Sequence, residues 1–333
     1  MSVIPPLSDE MQGIVYDTAE RYGLLKQAPV LSQTAGPAVY LAPGTQQQSP
    51  TGHQFGGLPS VNAGFVWPEL LSFVAQINLA ELPPGSGLGL PKEGLLQFFF
   101  DAEKQEDGSC TGRERRGAVI WQQEPTVTKA RPPTDLVRRS QDGLFQPLPF
   151  TSFPGLSISP YDGYALNNIP YSEVDIDRHA ALTKDLRSMA APPPSTNRGR
   201  MGLVSDEDWL QMGGHIQYFR DGTGYDYRLG AVLEKHGMPR DLVWGKEAVM
   251  DQIRNYKEAI PKWCDMLGIQ WDVFEKRRAS FDEEAQNWVL LLQVPTLNRL
   301  GAVWGDDYYV SYIIHERDLR YRRFEQSWVM IHP

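Results

Sequence analysis

The sequence predicts an α+β fold dominated by strands: antiparallel, roll-like sheets, in two related β halves, with helices at the periphery. Three observations lead there. Apolar runs of strand length recur in two blocks, near residues 72–100 and 288–332, whereas helical spacing is confined to the stretches outside them. No regular alternation of strand and crossover helix is visible, which favours hairpins over a parallel sheet. The 26 prolines and 30 glycines in 333 residues favour many short elements joined by turns over a helical bundle.

The elements follow in order. A helix is predicted over 8–25, with Ser8 and Asp9 as caps and Met11, Ile14, Val15, Thr18, Ala19 and Tyr22 at helical spacing. PAVYLAP (37–43) reads as a strand, and TQQQSPTGHQ after it as a polar loop. FGGLPS carries a glycine pair that permits unusual backbone angles. Trp67-Pro68 then introduces the strand FVAQINLA, where Phe73, Ala75, Ile77 and Leu79 share one face and Ser72, Val74, Gln76 and Asn78 the other. Beyond the Pro/Gly-rich LPPGSGLGLPKEG, the strand GLLQFFFD is apolar on both faces and so belongs inside a covered sheet. GAVIWQQ (117–123) is another strand; residues 124–170 carry many prolines and little helical character. A helix is expected over 174–189, from Ile176, Ala180, Leu182, Leu186 and Met189. APPPSTNRGR (191–200) marks a linker or insertion boundary, and GGHIQYFRDG (213–222) a short strand framed by glycines. Residues 228–260 read as helical with breaks at Gly237 and Pro239, most strongly over 246–260. NWVLLLQVPT, GAVWG, YYVSYIIH and SWVMIH then return the chain to strands.

The two strand blocks echo each other. Phe73-Val-Ala-Gln76-Ile corresponds to Leu290-Leu-Leu-Gln293-Val, and each is followed by a loop, a glycine (Gly94; Gly305) and an aromatic-rich strand. FGGLP and MGGHIQ add a looser match. These segments, FGGLP, WPE, FVAQINLAELP and LPKEGLLQFFFD, and later GGHIQ, WVLLLQV, WGDDYYVSYII and FEQSW, resemble the YwqG-like family of uncharacterised bacterial proteins. The resemblance is dense over 55–101 and 286–330. It implies a β-rich roll with peripheral helices and brings no activity, cofactor or catalytic residue. On it the chain is one unit over 1–333, with room for an insertion or lobe at 124–200.

Composition narrows the function classes. A net charge of −9 argues against nucleic acid as partner, because phosphate contacts need clustered cations. The basic runs RERR (113–116) and RDLRYRR (317–323) are interleaved with acids or aromatics and read as solvated faces. With only Cys110 and Cys264, in no metal-ligand spacing, no disulfide framework is expected, as in a reducing cytosol. MSVIPPLSDEMQG lacks the basic and apolar regions of a signal peptide, and no apolar run approaches the roughly 18 residues a membrane span needs. A cytoplasmic protein without membrane contact is the expectation.

No chemical constellation stands out. GSGLGLP (85–91) lacks the Lys-Ser/Thr of a phosphate loop and leads into a strand, and YDGYAL and RDGTGYDYR lack the alternating oxygen ligands of a calcium loop. His53, His179, His215, His236, His315 and His332 show no close pairing, so neither a metal site nor a cofactor is expected. There is no G-x-S-x-G elbow, and adjacent carboxylates such as Asp306-Asp307 diverge on an extended chain. The candidate ligand-binding residues are Trp67, Gln76, His215, Gln293 and Trp304. A buried amide more often bridges strands or loop backbone than meets a ligand, and a large aromatic more often fills a core corner than lines a groove. The leading expectation is a non-enzymatic binding protein, of the immunity type that neutralises a basic, toxin-like protein. The alternatives are an enzyme or a sugar or metabolite binder with a pocket between the β halves, and a structural assembly subunit.

Overall fold

Strand-forming and helix-forming segments sort into an inner curled sheet and an outer helical cover. A computed structural model describes residues 6–44, 49–68, 71–101, 117–135, 145–160, 169, 171–190, 209–216, 227–239, 242, 246–259, 261–297, 300–304 and 309–332. Among them the helices are α1 (Asp9–Arg21), α2 (Ala28–Thr34), α3 (Glu173–Ala190), α4 (Tyr227–Lys235), α5 (Lys246–Tyr256), α6 (Pro261–Ala285) and the short α7 (Glu316–Arg320). The strands are β1 (Gly36–Pro43), β2 (Gln54–Phe55), β3 (Ser72–Asn78), β4 (Leu95–Phe100), β5 (Gly117–Gln122), β6 (Leu148–Ser157), β7 (Leu210–Gly213), β8 (Trp288–Pro295), β9 (Tyr309–His315) and β10 (Trp328–His332). The fold is α+β with a dominant antiparallel sheet, as the sequence predicts.

The ten strands run in the order β10-β9-β8-β7-β1-β6-β2-β3-β4-β5, a ladder that reads alike from both ends. Matching strands from its two ends pairs β1 with β6, β2 with β7, β3 with β8, β4 with β9 and β5 with β10. One half is therefore β1–β5 and the other β6–β10, and their first strands are exchanged: β1 lies between β7 and β6, and β6 between β1 and β2. The registers agree residue by residue. Gln76 pairs with Gln54 and Gln97 as Gln293 pairs with Gln211 and Ser311. The β3–β4 ladder slips between Phe73 and Ala75, and the β8–β9 ladder slips at the same place, between Leu290 and Leu292. A bulge is a built feature of a strand, so its repetition marks a shared design.

The sheet curls around an apolar interior. Phe98 on β4 and Tyr312 on β9, equivalent positions, meet edge to face with ring centroids 5.0 Å apart. Gly117 at the start of β5 lies so close to Val329 on β10 that a Cβ there would come within 2.7 Å of its Cγ2, and the outermost strands nearly close a barrel. Outside, α1, α2 and α3 pack through Val15, Leu31 and Leu182 against Leu156 and Ile158, and α4–α6 pack through Leu229, Val249 and Phe274 against Trp288, Leu290 and Ile313.

Several expectations change. The helix over 8–25 ends at Gly23, where φ is +76° and Leu24 N–H reaches back to Ala19 O at 2.9 Å, and α2 is separate. Residues 124–170 conceal β6, whose Pro149 and Pro154 argue against a central strand. β2 meets β6 only at Leu148 and Pro149, so the rest of that side of β6 has no ladder to interrupt. The strand expected over 213–222 does not start at the glycines: β7 ends at Gly213, because Gly213 and Gly214, with φ of +68° and +67°, turn the chain out of it, and residues 217–222 lie outside the described residues. GAVWG is no strand: Leu297 and Ala302 make one isolated bridge around a turn at Gly301. Cys110, RERR, YDGYAL, most of RDGTGYDYR, APPPSTNRGR, Gly305 and Asp306-Asp307 lie outside the described residues.

Candidate functional site

The paired glutamines come first, because they raise the choice between ligand group and structural group. Gln76 is fully buried. Its Oε1 accepts from Ser60 N at 2.8 Å and its Nε2 donates to Gly52 O at 3.0 Å. Next to it on the ladder, Gln97 Nε2 donates to Ser60 O at 2.5 Å, so two side chains hold both backbone groups of Ser60. The loop after β2 is thereby clamped on the outer face of the sheet, which satisfies buried backbone without a ladder. In the other half Gln211 Nε2 donates to Gly213 O at 3.0 Å and His215 O at 2.8 Å, clamping the loop after β7. Gln54 makes the equivalent bond to Gly56 O at 2.5 Å.

The five candidate residues do not converge. Gln76 and Gln293 occupy equivalent positions in opposite halves, both buried. Trp67 packs on Phe99 at 5.5 Å with its Nε1 donating to Leu71 O at 2.8 Å. Trp304 belongs to the interior core, between Phe100 and Phe145, and its Nε1 donates to Pro295 O at 2.9 Å. His215, in the loop beyond β7, donates from Nε2 to Thr34 O at 2.7 Å.

Two buried histidines are held neutral. His53 Nδ1 accepts from Asn78 N at 3.1 Å, so its Nε2 carries the proton, facing Ser152 Oγ at 3.1 Å. His179 Nε2 donates to Ser159 O at 2.9 Å. Burial pushes both imidazoles down to about 4. Lys129, its pKa lowered by burial, donates to Ser60 Oγ and Pro50 O, each at 2.8 Å. Lysine beside serine is also the pairing of a base with a nucleophile, but Ser60 is fully buried and its hydroxyl donates to Pro50 O at 2.5 Å. That contact anchors the loop. Among the described residues no group of three or more His, Cys, Asp or Glu is placed to hold a metal ion, and no helix is long and apolar enough to cross a membrane.

The feature that the sequence reading passed over is α6. One apolar seam, Cys264, Leu267, Trp271, Phe274 and Phe281, is buried. A second, Met266, Ile269 and Val273, recurs at helical spacing on the outer side and is 41%, 66% and 39% exposed. The near-continuous apolarity of CDMLGIQWDVF was the available signal, since a helix apolar on two sides has two surfaces to cover.

A family described as a domain of unknown function (DUF1963) matches residues 53–332. The chain belongs to the DUF1963 family. The match takes in both glycine pairs, both bulged strands and α6, and begins at His53, beyond α1, α2 and β1. No curated protein matches the chain.

Proposed function

We propose that this DUF1963 protein is a non-enzymatic binding protein whose partner is a basic, toxin-like protein, neutralised by being covered. Within the family we place it among the YwqG-like proteins, on the wording of its strand motifs. The observation that carries the reading is the exposed stripe Met266, Ile269 and Val273 on α6. Partners anchor on such apolar rows of a helix, and burying the rest of these three side chains contributes about 3 kcal/mol. Charge supplies the complement: Asp272 is exposed beside the stripe, Asp265 there is paired with Lys257, and the whole chain carries −9. His53, His179 and Gln76 fit a scaffold, since each is held by hydrogen bonds to the protein itself.

The test is a photocrosslinking side chain at position 269 in the native host. One basic protein should be captured, capture should fail in the Met266→Asp background, and the same side chain at the exposed Leu25 should capture nothing. The purified captured protein should lose its activity when mixed with an equal amount of the parent. Capture of a second copy of the chain would favour the assembly-subunit reading, and an active partner in the complex would end the neutralisation reading.

A further inference from the structure

An open apolar cavity of ≈ 490 Å³ lies where the halves exchange strands, between β1 and β6 on one side and α1 and α3 on the other. Its floor contains the register pair Ala38–Gly155. One methyl group and one hydrogen are all that this pair places on the sheet, which leaves the hollow. Leu7, Met11 and Ile14 form the wall on the α1 side, and Leu186 of α3 contributes at the other side. The glycines of Gly85-Ser86-Gly87 form part of the rim, with φ of +72° and +70°. None of Trp67, Gln76, His215, Gln293 and Trp304 takes part.

We propose that this cavity binds an uncharged small molecule with an alkyl or aryl body and one or two hydrogen-bonding groups. The volume falls within the roughly 300–1,000 Å³ of small-ligand sites. Among the described residues no charged side chain lines the cavity, and the polar side chains are the hydroxyls of Ser8 and Ser86. An ionised head would therefore lose hydration without gaining a counter-charge. Asp9 and Glu10 directly follow Ser8 in the first turn of α1 and offset the attraction that a helix N-terminus exerts on a carboxylate or phosphate head. Met11 is an unbranched side chain that adapts to ligand shape, and Ile14, on the wall, is 38% exposed and would be covered by an occupant. The occupant is thus a neutral chain or ring, such as a fatty alcohol, and not a fatty acid.

The experiment is a fluorescence titration of the full chain with N-phenyl-1-naphthylamine, a neutral probe that brightens in apolar surroundings. Saturable binding of one probe per chain is expected, reversed by decanol, with decanoate at pH 8 weaker than decanol by at least about tenfold. Ile14→Lys places a charge on the wall from a partly exposed position and should weaken the probe by at least about tenfold without lowering the melting temperature. Met11→Trp fills the space with apolar volume and should have the same effect without a charge. Non-saturating fluorescence, or both variants binding as the parent does, would overturn the site. Equal competition by decanoate would overturn its selectivity for neutral heads. Failure leaves the α6 proposal standing, because the two sites share no residue.

Discussion

The two halves of the sheet share a skeleton and differ in what covers it. In β1–β5 the outer face is covered by irregular chain: Gln76 and Gln97 grip Ser60, Lys129 ties it to Pro50, and Thr126 Oγ1 donates to Val61 O at 2.5 Å. In β6–β10 the equivalent face is covered by α4–α6 through an apolar cluster. The glycine pair, the bulge and the buried amide recur because each answers a requirement of the sheet itself: a turn with positive φ, a bend, and a partner for buried backbone. The cover answers only to the need to exclude water, which polar clamps or packed helices meet equally well. Among the described residues, the helical cover presents a second apolar seam to solvent.

That comparison can be tested by perturbing equivalent positions. The largest effect is expected at the glycine pairs. A Cβ at Gly56 would meet Gln146 O at 2.5 Å and Phe145 O at 2.6 Å, at a φ of +58°. Gly56→Ala should cost about 4 kcal/mol in urea denaturation. At the equivalent Gly213 the nearest obstacle is the side-chain end of Leu88, which can move, and Gly213→Ala should cost about 2 kcal/mol. A reversed order would show that backbone packing is not what separates the two turns.

Next comes acid. His53 lies in one half and His179 in the other, and both are pushed down to about 4 by burial. The unfolded chain binds these protons near pH 6.5, so each contribution is complete above that pH and is lost as pH falls towards 4. Each amounts to about 3 kcal/mol. Stability measured from pH 7.5 to 4 should fall accordingly, and His179→Gln should reduce the slope. A flat profile would contradict the burial of both rings.

Smaller again is the amide row. Gln76→Leu leaves the buried Ser60 N–H and the Gly52 carbonyl without their side-chain partner and should cost about 2 kcal/mol. Gln293→Leu should match it within about 1 kcal/mol if the rows are equivalent, measured by the same denaturation. The smallest effect belongs to the solvent-facing ion pairs of the helical cover. Glu284→Gln loses its ion pairs with Lys235 and His236 and should change stability by about 0.5 kcal/mol or less, fading with salt.

Much of the frame was legible in the residues. SFVAQIN, LLQFFF, WVLLLQVP and YVSYIIH are strands, and the correspondence of Gln76 with Gln293 holds down to the bulge beside each. The strand reading missed β6, because Pro154 is tolerated only where a short β2 leaves the neighbouring position open, and Pro149 lies beyond the last pair that β6 makes with β1. It placed His215 on a strand, because two glycines with positive φ read equally as the start of one or the end of another. The candidate ligand residues share a chemistry and not a place: the structure distributes them over both outer faces and the core.

The sequence by itself determined the strands, the repeat and the residue types that a bulged, amide-clamped sheet requires, because side-chain periodicity and backbone preference act over a few residues. Only the tertiary structure decided that β1 and β6 exchange places, that Ala38 opposite Gly155 leaves a hollow, and that the stripe on α6 faces solvent. Strand exchange depends on which distant partner completes each ladder, and a cavity or an exposed seam on what the rest of the chain fails to cover. Those are properties of contacts remote in sequence, and no local pattern encodes them.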